Sequence, residues 1–314
     1  MTVATGTRAA KAARRRRWAG TALAAAVLVP VAACTGGSSG GDGGADAGNG
    51  AKAGGVAQAA PVAALREARK RTGETASARI EGTMELGTVM SMEQTGALDW
   101  SDGLRGEMTI TYDGGTAADA LKRSGGDGTL RALYLKDAYY AHLGDAFAAG
   151  VGGRHWIRYG YADLAAAAGA GGDAVRDASR TSTPLEGVEA LLASGDLRKV
   201  GEEDVRGVAA THYSGTVDVA EPAPAGGLDA GELAAFRERM AAAGVTGGTV
   251  DVWLDADHLP VKKSERARTR TGTLNSTVFY SDYGVAVAAK APAASDTVDF
   301  KEIAGAAATP GTAP

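Results

Sequence analysis

From Arg79 to Tyr112 the side chains alternate in character residue by residue, a pattern that no helix accommodates. In Arg79–Leu86 the even positions Ile80, Gly82, Met84 and Leu86 are apolar or glycine, and the odd positions Arg79, Glu81, Thr83 and Glu85 are polar. Met90, Met92, Leu98 and Trp100 carry an even face through the next segment, and Leu104, Gly106, Met108, Ile110 and Tyr112 carry it through a third. A strand sends alternate residues to opposite faces, whereas a helix groups residues three and four apart. Three such runs joined by short glycine-containing turns predict an antiparallel meander with one apolar and one wet face.

The rest of the chain extends this layout. Leu130–Leu143, with Leu133, Leu135 and Tyr139, predicts a strand or hairpin, and Arg154–Tyr159 a further short strand. Leu197–Val205 and Val208–Val219 predict a hairpin turning at Arg206-Gly207. Thr249–Asp255, Leu259–Thr271 and Thr273–Tyr283 predict three more strands, and a short one closes the chain near 297–300. Helices are expected at Pro61–Thr72, Tyr161–Ala168, Pro184–Ala193 and about 229–243. In the last, Asp229 is the N-cap, Glu232 completes a capping box, Gly244 ends the helix, and Leu233, Phe236 and Met240 form its apolar stripe. The Gly/Ala-rich stretches 114–128 and 144–153 have no expected element. About ten or eleven sequential antiparallel strands with three or four helices make an α+β protein, and the missing β-α-β alternation argues against a Rossmann or periplasmic-binding-protein layout.

The N-terminus carries a different signal. Arg14–Arg17 precede an apolar run from Trp18 to Pro30, followed by Val31-Ala32-Ala33-Cys34. A basic segment, a short apolar segment and small residues before a cleavage point mark a secretory signal peptide, and the run is shorter than the roughly 20 residues of a spanning helix. Val-Ala-Ala-Cys resembles the lipobox of bacterial lipoproteins, in which the cysteine sulfur receives a diacylglycerol and cleavage makes that cysteine the first residue. Cys34 is the sole cysteine. Residues 1–33 are therefore expected to be a lipoprotein signal peptide, exported by the general or the twin-arginine route. Residues 34–56 are expected to be the lipidated cysteine and a flexible Gly/Ser/Ala tether, 57–302 the folded domain, and 303–314 a disordered tail. Two acyl chains are the usual requirement for stable membrane attachment, which places the domain on the outer face of the cell membrane.

Charge and motif content narrow the function. The chain has 33 Lys and Arg against 37 Asp and Glu. Six of the basic residues and none of the acidic ones lie in residues 1–33, so the 27 that remain face 37 acids, a net charge of −10. Such a surface repels phosphate backbones, and nucleic acid is not an expected partner. With Cys34 lipidated, no disulfide or thiolate chemistry is expected. His142, His155, His212 and His258 have no paired ligand spacing, and His212 is expected to be solvated. No hydrolase elbow or phosphate-binding loop is present, and Asp255-Ala256-Asp257 is broken as a calcium loop by His258-Leu259-Pro260. Gly169-Ala170-Gly171-Gly172-Asp173-Ala174 follows a helix rather than a strand and is expected to be a loop. Arg266, Arg268 and Arg270 on one strand face, and Glu202-Glu203-Asp204 in a hairpin, are expected to be solvated. No catalytic residue, cofactor or metal is expected.

The apolar face is either filled by the helices or left partly open as a cavity. The methionines other than Met1, which are Met84, Met90, Met92, Met108 and Met240, all fall on inferred inward faces. Methionine is flexible and polarisable, and serves either an irregular core or a surface that accepts ligands of varied shape. Thr211–Asp218, Val250–Asp255 with Leu259-Pro260-Val261, Phe279–Gly284 and Ala291-Pro292, in that order, resemble the LolA-like superfamily, and within it the LppX/LprG group of actinobacterial lipoproteins. The resemblance implies a curved antiparallel half-barrel with helices on its concave face around a lipid-sized cavity, and the binding or carriage of an acylated lipid. The expected lining is Met84, Met90, Met92, Met108, Ile110, Leu133, Leu135, Tyr213, Val217, Leu233, Phe236, Met240, Val250, Val252 and Leu254. The expected protein is a monomer that binds a lipid or lipophilic envelope molecule. The competing reading is the same fold with a closed core, presenting a surface to an envelope protein partner.

Overall fold

The computed structural model describes residues 51–123, 125–168, 182–220 and 227–308. The signal peptide, Cys34, most of the expected tether and residues 169–174 lie outside them. A first helix, α1 (Ala51–Thr75), leads into a meander of β1 (Ser77–Leu86), β2 (Met90–Asp99) and β3 (Arg105–Gly114). Then come α2 (Gly115–Arg123), β4 (Thr129–Tyr134), β5 (Ala138–His142), α3 (Gly144–Ala148), β6 (Trp156–Gly160) and α4 (Tyr161–Ala168). The second half contains α5 (Pro184–Ala193), β7 (Arg198–Val205), β8 (Val208–Asp218), α6 (Ala230–Ala242), β9 (Val245–Leu254), β10 (Pro260–Thr269) and β11 (Gly272–Ser281). The chain ends with β12 (Thr297–Asp299) and α7 (Phe300–Ala308).

All twelve strands form one curved, unclosed sheet in the order β12-β6-β5-β4-β3-β2-β1-β11-β10-β9-β8-β7. Every pairing is antiparallel except β12 with β6. The sheet is two meanders, β1–β6 and β7–β11, fused where β1 pairs with β11 from Arg79↔Ser281 to Leu86↔Leu274. The α+β class and the open antiparallel sheet agree with the sequence reading, and the strand count is twelve rather than ten or eleven. At the β7–β8 turn Arg206 and Gly207 both have positive φ, 55° and 88°, the backbone that a two-residue hairpin needs to match strand twist.

Three boundaries differ from expectation. Helix α1 begins at Ala51, inside the expected tether, with Pro61 in its interior rather than its first turn. Stretches 114–128 and 144–153 contain α2 and α3: Ala118 and Leu121 of α2 are buried, and Ala117 N–H donates to the Val89 carbonyl at 3.0 Å. Short helices flanked by glycine leave little periodicity to read. The tail expected to be disordered from residue 303 instead continues α7 to Ala308. Phe300 stacks on Tyr159 at 5.2 Å, and Ile303 packs into the cluster of Ala141, Ile157, Tyr159, Leu164 and Val298. The capping box on α6 is as read: Glu232 N–H donates to Asp229, and the Glu232 carboxylate accepts from the Asp229 N–H.

β12 is three residues long and is pinned by charge. Asp296 accepts from the His155 N–H at 2.9 Å and from its Nδ1 at 2.6 Å, and His155 Nε2 lies 3.4 Å from Asp145. Arg158 pairs with Asp299 at 2.9 Å and Lys301 with Asp163 at 2.8 Å. The hydrogen bond to Asp296 raises the His155 imidazole above its ordinary 6.5, and the same bond lowers the Asp296 carboxyl. A raised base stabilises the fold fully below its unfolded pKa and loses that contribution as pH rises through the folded value. We expect the β12–α7 segment to loosen as pH climbs past the raised His155 value, seen as faster hydrogen exchange of residues 297–303. In Asp296→Asn that pH step should disappear.

Candidate functional site

The helices divide the inner face, defined as the face on which they pack, into three zones. At one end α1, α5 and α6 lie on β7–β10. Their side chains Val62, Leu65, Ala68, Val188, Leu191, Leu192, Leu233 and Phe236 bury Tyr213, Val217, Val250, Val252 and Leu254, with Met240 packed alongside. Val252 and Leu191 are wholly inaccessible. This zone is a filled core, so the half of the expected lining contributed by β8, β9 and α6 packs against itself. The α6 stripe is core, not a lid over a hollow.

The middle zone is different. Ile80, Leu98, Met108, Ile110, Ala132, Val278 and Tyr280 form a buried floor across β11, β1, β2, β3 and β4. Over it Met92, Tyr112, Leu130 and Tyr134 are packed but only half-buried, and Met84, beside Met92 in register, is half-buried too. Among the described residues α1, α5 and α6 pack on β7–β10, α4 and α7 on β6 and β12, and α2 on β2 and β3 with its Ala118 and Leu121 buried. Met84, Met92, Met108 and Ile110 therefore do come together on one apolar surface, and Met90, buried opposite Leu86, sits at its margin.

The third zone is aromatic. Tyr134 lies 6.4 Å from Tyr139, which stacks on Tyr159 at 4.4 Å, and Tyr159 stacks on Phe300. Burial pushes the hydroxyls of Tyr112, Tyr134, Tyr139 and Tyr159 above the ordinary tyrosine value. Sequence reasoning missed this ladder, although Tyr112, Tyr134, Tyr139 and Tyr159 each hold the inward phase of their strand. Leu133 and Leu135 are a correction. They pack with Ala138, Tyr140 and Trp156 in a separate cluster on the opposite face, because Leu133 pairs with Glu107 and Tyr140, one residue out of phase with inward Ala132.

A polar boundary separates the filled zone from the middle one. Lys263 and Glu265 of β10 face inward beside Val278 and Ser276, with Lys263 Nζ 3.5 Å from the Glu265 carboxylate. Gln94 of β2 is buried and its amide N–H donates to Ser182 Oγ at 3.1 Å. At the strand ends a cleft of about 530 Å³, lined by Leu130, Arg131, His142, Asp145 and Gly125–Asp127, shares Leu130 with the middle zone. That volume lies within the range of ligand pockets. Burial and then the neighbouring His155 hold His142 below its ordinary value.

His212 is a second correction. It is not solvated: its rings stack on Trp253 at 4.1 Å, and its two nitrogens lie 3.0 Å from Glu203 and 2.8 Å from Asp251. Glu203 in turn accepts from Trp253 Nε1 at 2.9 Å, so this acid is tied rather than free. The group sits on the outer face under the Lys262 ammonium, 3.9 Å from the Trp253 ring, which is buried beneath it. Among the described residues no cluster of three or more His, Cys, Asp and Glu is placed to hold a metal, and no helix is long and apolar enough to cross a membrane.

The zones differ in what a charge would cost. Val252→Asp places an unpaired carboxylate in a filled core and should destabilise by about 3 kcal/mol or more. Met92→Asp, half-buried, should cost about 1 kcal/mol. Denaturant unfolding of the two variants checks this, and equal losses would remove the distinction between the zones.

No protein-family model matches the chain. A Streptomyces griseus protein described as "Uncharacterized 31.2 kDa protein in rplA-rplJ intergenic region" is 61% identical over 249 residues, covering 79% of this chain and 82% of that one. A Streptomyces coelicolor protein described as "Putative lipoprotein SCO4650" is 46% identical over 240 residues, covering 76% of this chain and 75% of that one. Among solved structures, Mycobacterium tuberculosis lipoprotein LppX is similar, with a TM-score of 0.44, 14% identity, and coverage of 74% of this chain and 98% of LppX.

Proposed function

This chain belongs to the streptomycete family represented by SCO4650, and on that premise we propose that it is an exported lipoprotein that binds a lipophilic molecule without catalysis. Cys34 would carry the diacylglycerol, after removal of residues 1–33, and hold the domain at the outer face of the cell membrane. The observation that carries the binding reading is the middle zone of the inner face. A water-soluble domain gains by covering apolar surface, yet Met84, Met92, Tyr112, Leu130 and Tyr134 stay half-buried around a buried floor. An alkyl chain laid along them would gain about 0.8 kcal/mol per CH₂ removed from water, so one long chain suffices for tight binding. Methionines and tyrosines accept chains of varied length because the thioether bends and the ring offers a flat face.

A second reading rests on the filled zone. Leu233, Phe236, Val250 and Val252 pack without need of a ligand, which favours a closed module that presents a surface to an envelope protein.

Native mass spectrometry and organic extraction of the protein purified without detergent separate the two. We expect a stoichiometric co-purifying lipid, lost in Met92→Asp while the fold is retained. A clean apo mass, with no uptake from added lipid extract, would favour the closed module.

A further inference from the structure

The floor of the middle zone contains a polar atom that the fold leaves unanswered. Tyr280 pairs with Ile80 across the strands, belongs to the buried cluster that also holds Leu98, Met108 and Val278, and is itself 4% exposed. Its hydroxyl is buried and makes no hydrogen bond among the described residues. A buried hydroxyl without a partner is uncommon, because it gives up its water for nothing. The atom is not in apolar surroundings alone. Tyr280 lies two residues along β11 from Val278, whose partner across the strand is Lys263. The carboxyls of Glu265 and Glu186 are near enough to hold the Tyr280 hydroxyl further above its ordinary value than burial does by itself.

Lys263 is 1% exposed and lies under α5: a side chain at Gly187 would meet its stem at 2.7 Å. Its ammonium pairs with Glu265 at 3.5 Å. Burial raises the Glu186 carboxyl toward its neutral form, against the opposing pull of Lys263. Lys263 thus stands among two carboxyls, one of them carried toward neutrality, and the other cation acting on Glu186, Arg239, is paired with Glu189 at 2.8 Å. The group has no surplus positive charge with which to receive a phosphate or carboxylate, and placing an anion beside Glu265 would add like-charge repulsion. A neutral oxygen meets no such penalty.

We propose that the Tyr280 hydroxyl, set in the apolar floor beside Lys263, Glu186 and Glu265, is the point that fixes one uncharged oxygen of the bound molecule, an ester, ether or hydroxyl oxygen next to its alkyl part. The proposal rests on the lipophile-binding reading above. It assigns Tyr280 as the specificity-determining residue of that site, and a neutral oxygen-bearing lipid rather than a free fatty acid as the ligand class. The phenol donates the hydrogen bond, and the alkyl chain then runs from Tyr280 over Met108 toward Met92 and Leu130. Because the hydroxyl has no partner to lose, Tyr280→Phe should fold as well as the parent.

The test uses residues 34–314 with Cys34→Ser and three fluorescent probes of one length: methyl pyrenedecanoate, pyrenedecanoic acid at pH 8, and pyrenyldecane. The parent should bind the methyl ester at least tenfold more tightly than the acid or the alkane. Tyr280→Phe should lose about tenfold for the ester and nothing for the alkane, with an unchanged melting temperature. An ester affinity that is equal in parent and Tyr280→Phe, while Met92→Asp abolishes it, would overturn the role of Tyr280 and leave the binding surface standing. Tighter binding of the acid than of the ester would overturn the neutral ligand class. No binding of any probe by the parent would overturn the lipophile-binding reading and this proposal together.

Discussion

The pairing of β1 with β11 is the interaction on which the rest of the molecule depends. It joins residues about two hundred positions apart in the chain, and it alone fuses the two meanders into one sheet. Each meander can form from local hairpins, but neither has a complete floor. Ile80 of β1 and Val278 and Tyr280 of β11 belong to the same buried cluster, so the floor exists only once these strands meet. A contact of such sequence separation is slow to find and costly in loop entropy. It is held by an unbroken run of ladder pairs from Arg79↔Ser281 to Leu86↔Leu274 and by apolar side chains on the inner face of both strands.

Once the sheet is whole, its inner face presents more apolar surface than solvent tolerates, and the chain spends its helices unevenly on it. Helix α1 comes from before the first meander, α5 from between the two and α6 from inside the second, yet all three gather on β7–β10. At the far end α4 and α7 pack on β6 and β12, with the tyrosine ladder beneath. Among the described residues the middle holds half-buried methionines and tyrosines, with α2 on β2 and β3. That unequal cover is a property of the tertiary arrangement, and it turns one continuous apolar face into a core on one side and a candidate binding surface beside it.

The inward charges of β10 mark the border between these regions. Lys263 and Glu265 bring charge to a largely apolar face, and they pair with each other under the covering α5. A buried ion pair is weak as a source of stability, since desolvation offsets most of its attraction. It lies between the filled and the half-buried zones, with Lys263 opposite Val278, two residues along β11 from Tyr280, whose hydroxyl is unsatisfied among the described residues.

Much of this was legible in the amino-acid sequence. Period-two alternation placed β1–β3 and β7–β11 within a residue or two, except for the start of β9, four residues earlier than expected, because a half-buried strand writes its faces into consecutive residues. The same local logic gave α4, α5 and the Asp229–Glu232 capping box, whose signals lie within one turn. What sequence could not supply was phase and cover. Leu133 and Leu135 are as hydrophobic as Met108, and only their pairing with Glu107 and Tyr140 puts them on the other face. His212 is solvated by its pattern and buried by Trp253, Glu203 and Asp251, which arrive from neighbouring strands. Val252 and Met92 share an inward phase, but among the described residues one is wholly buried under α1, α5 and α6 and the other is half-buried. Sequence determines which residues of a strand share a face, through backbone geometry local to that strand; tertiary structure decided which of those faces turns inward and which is filled, because that depends on strand pairing and on where distant helices come to rest.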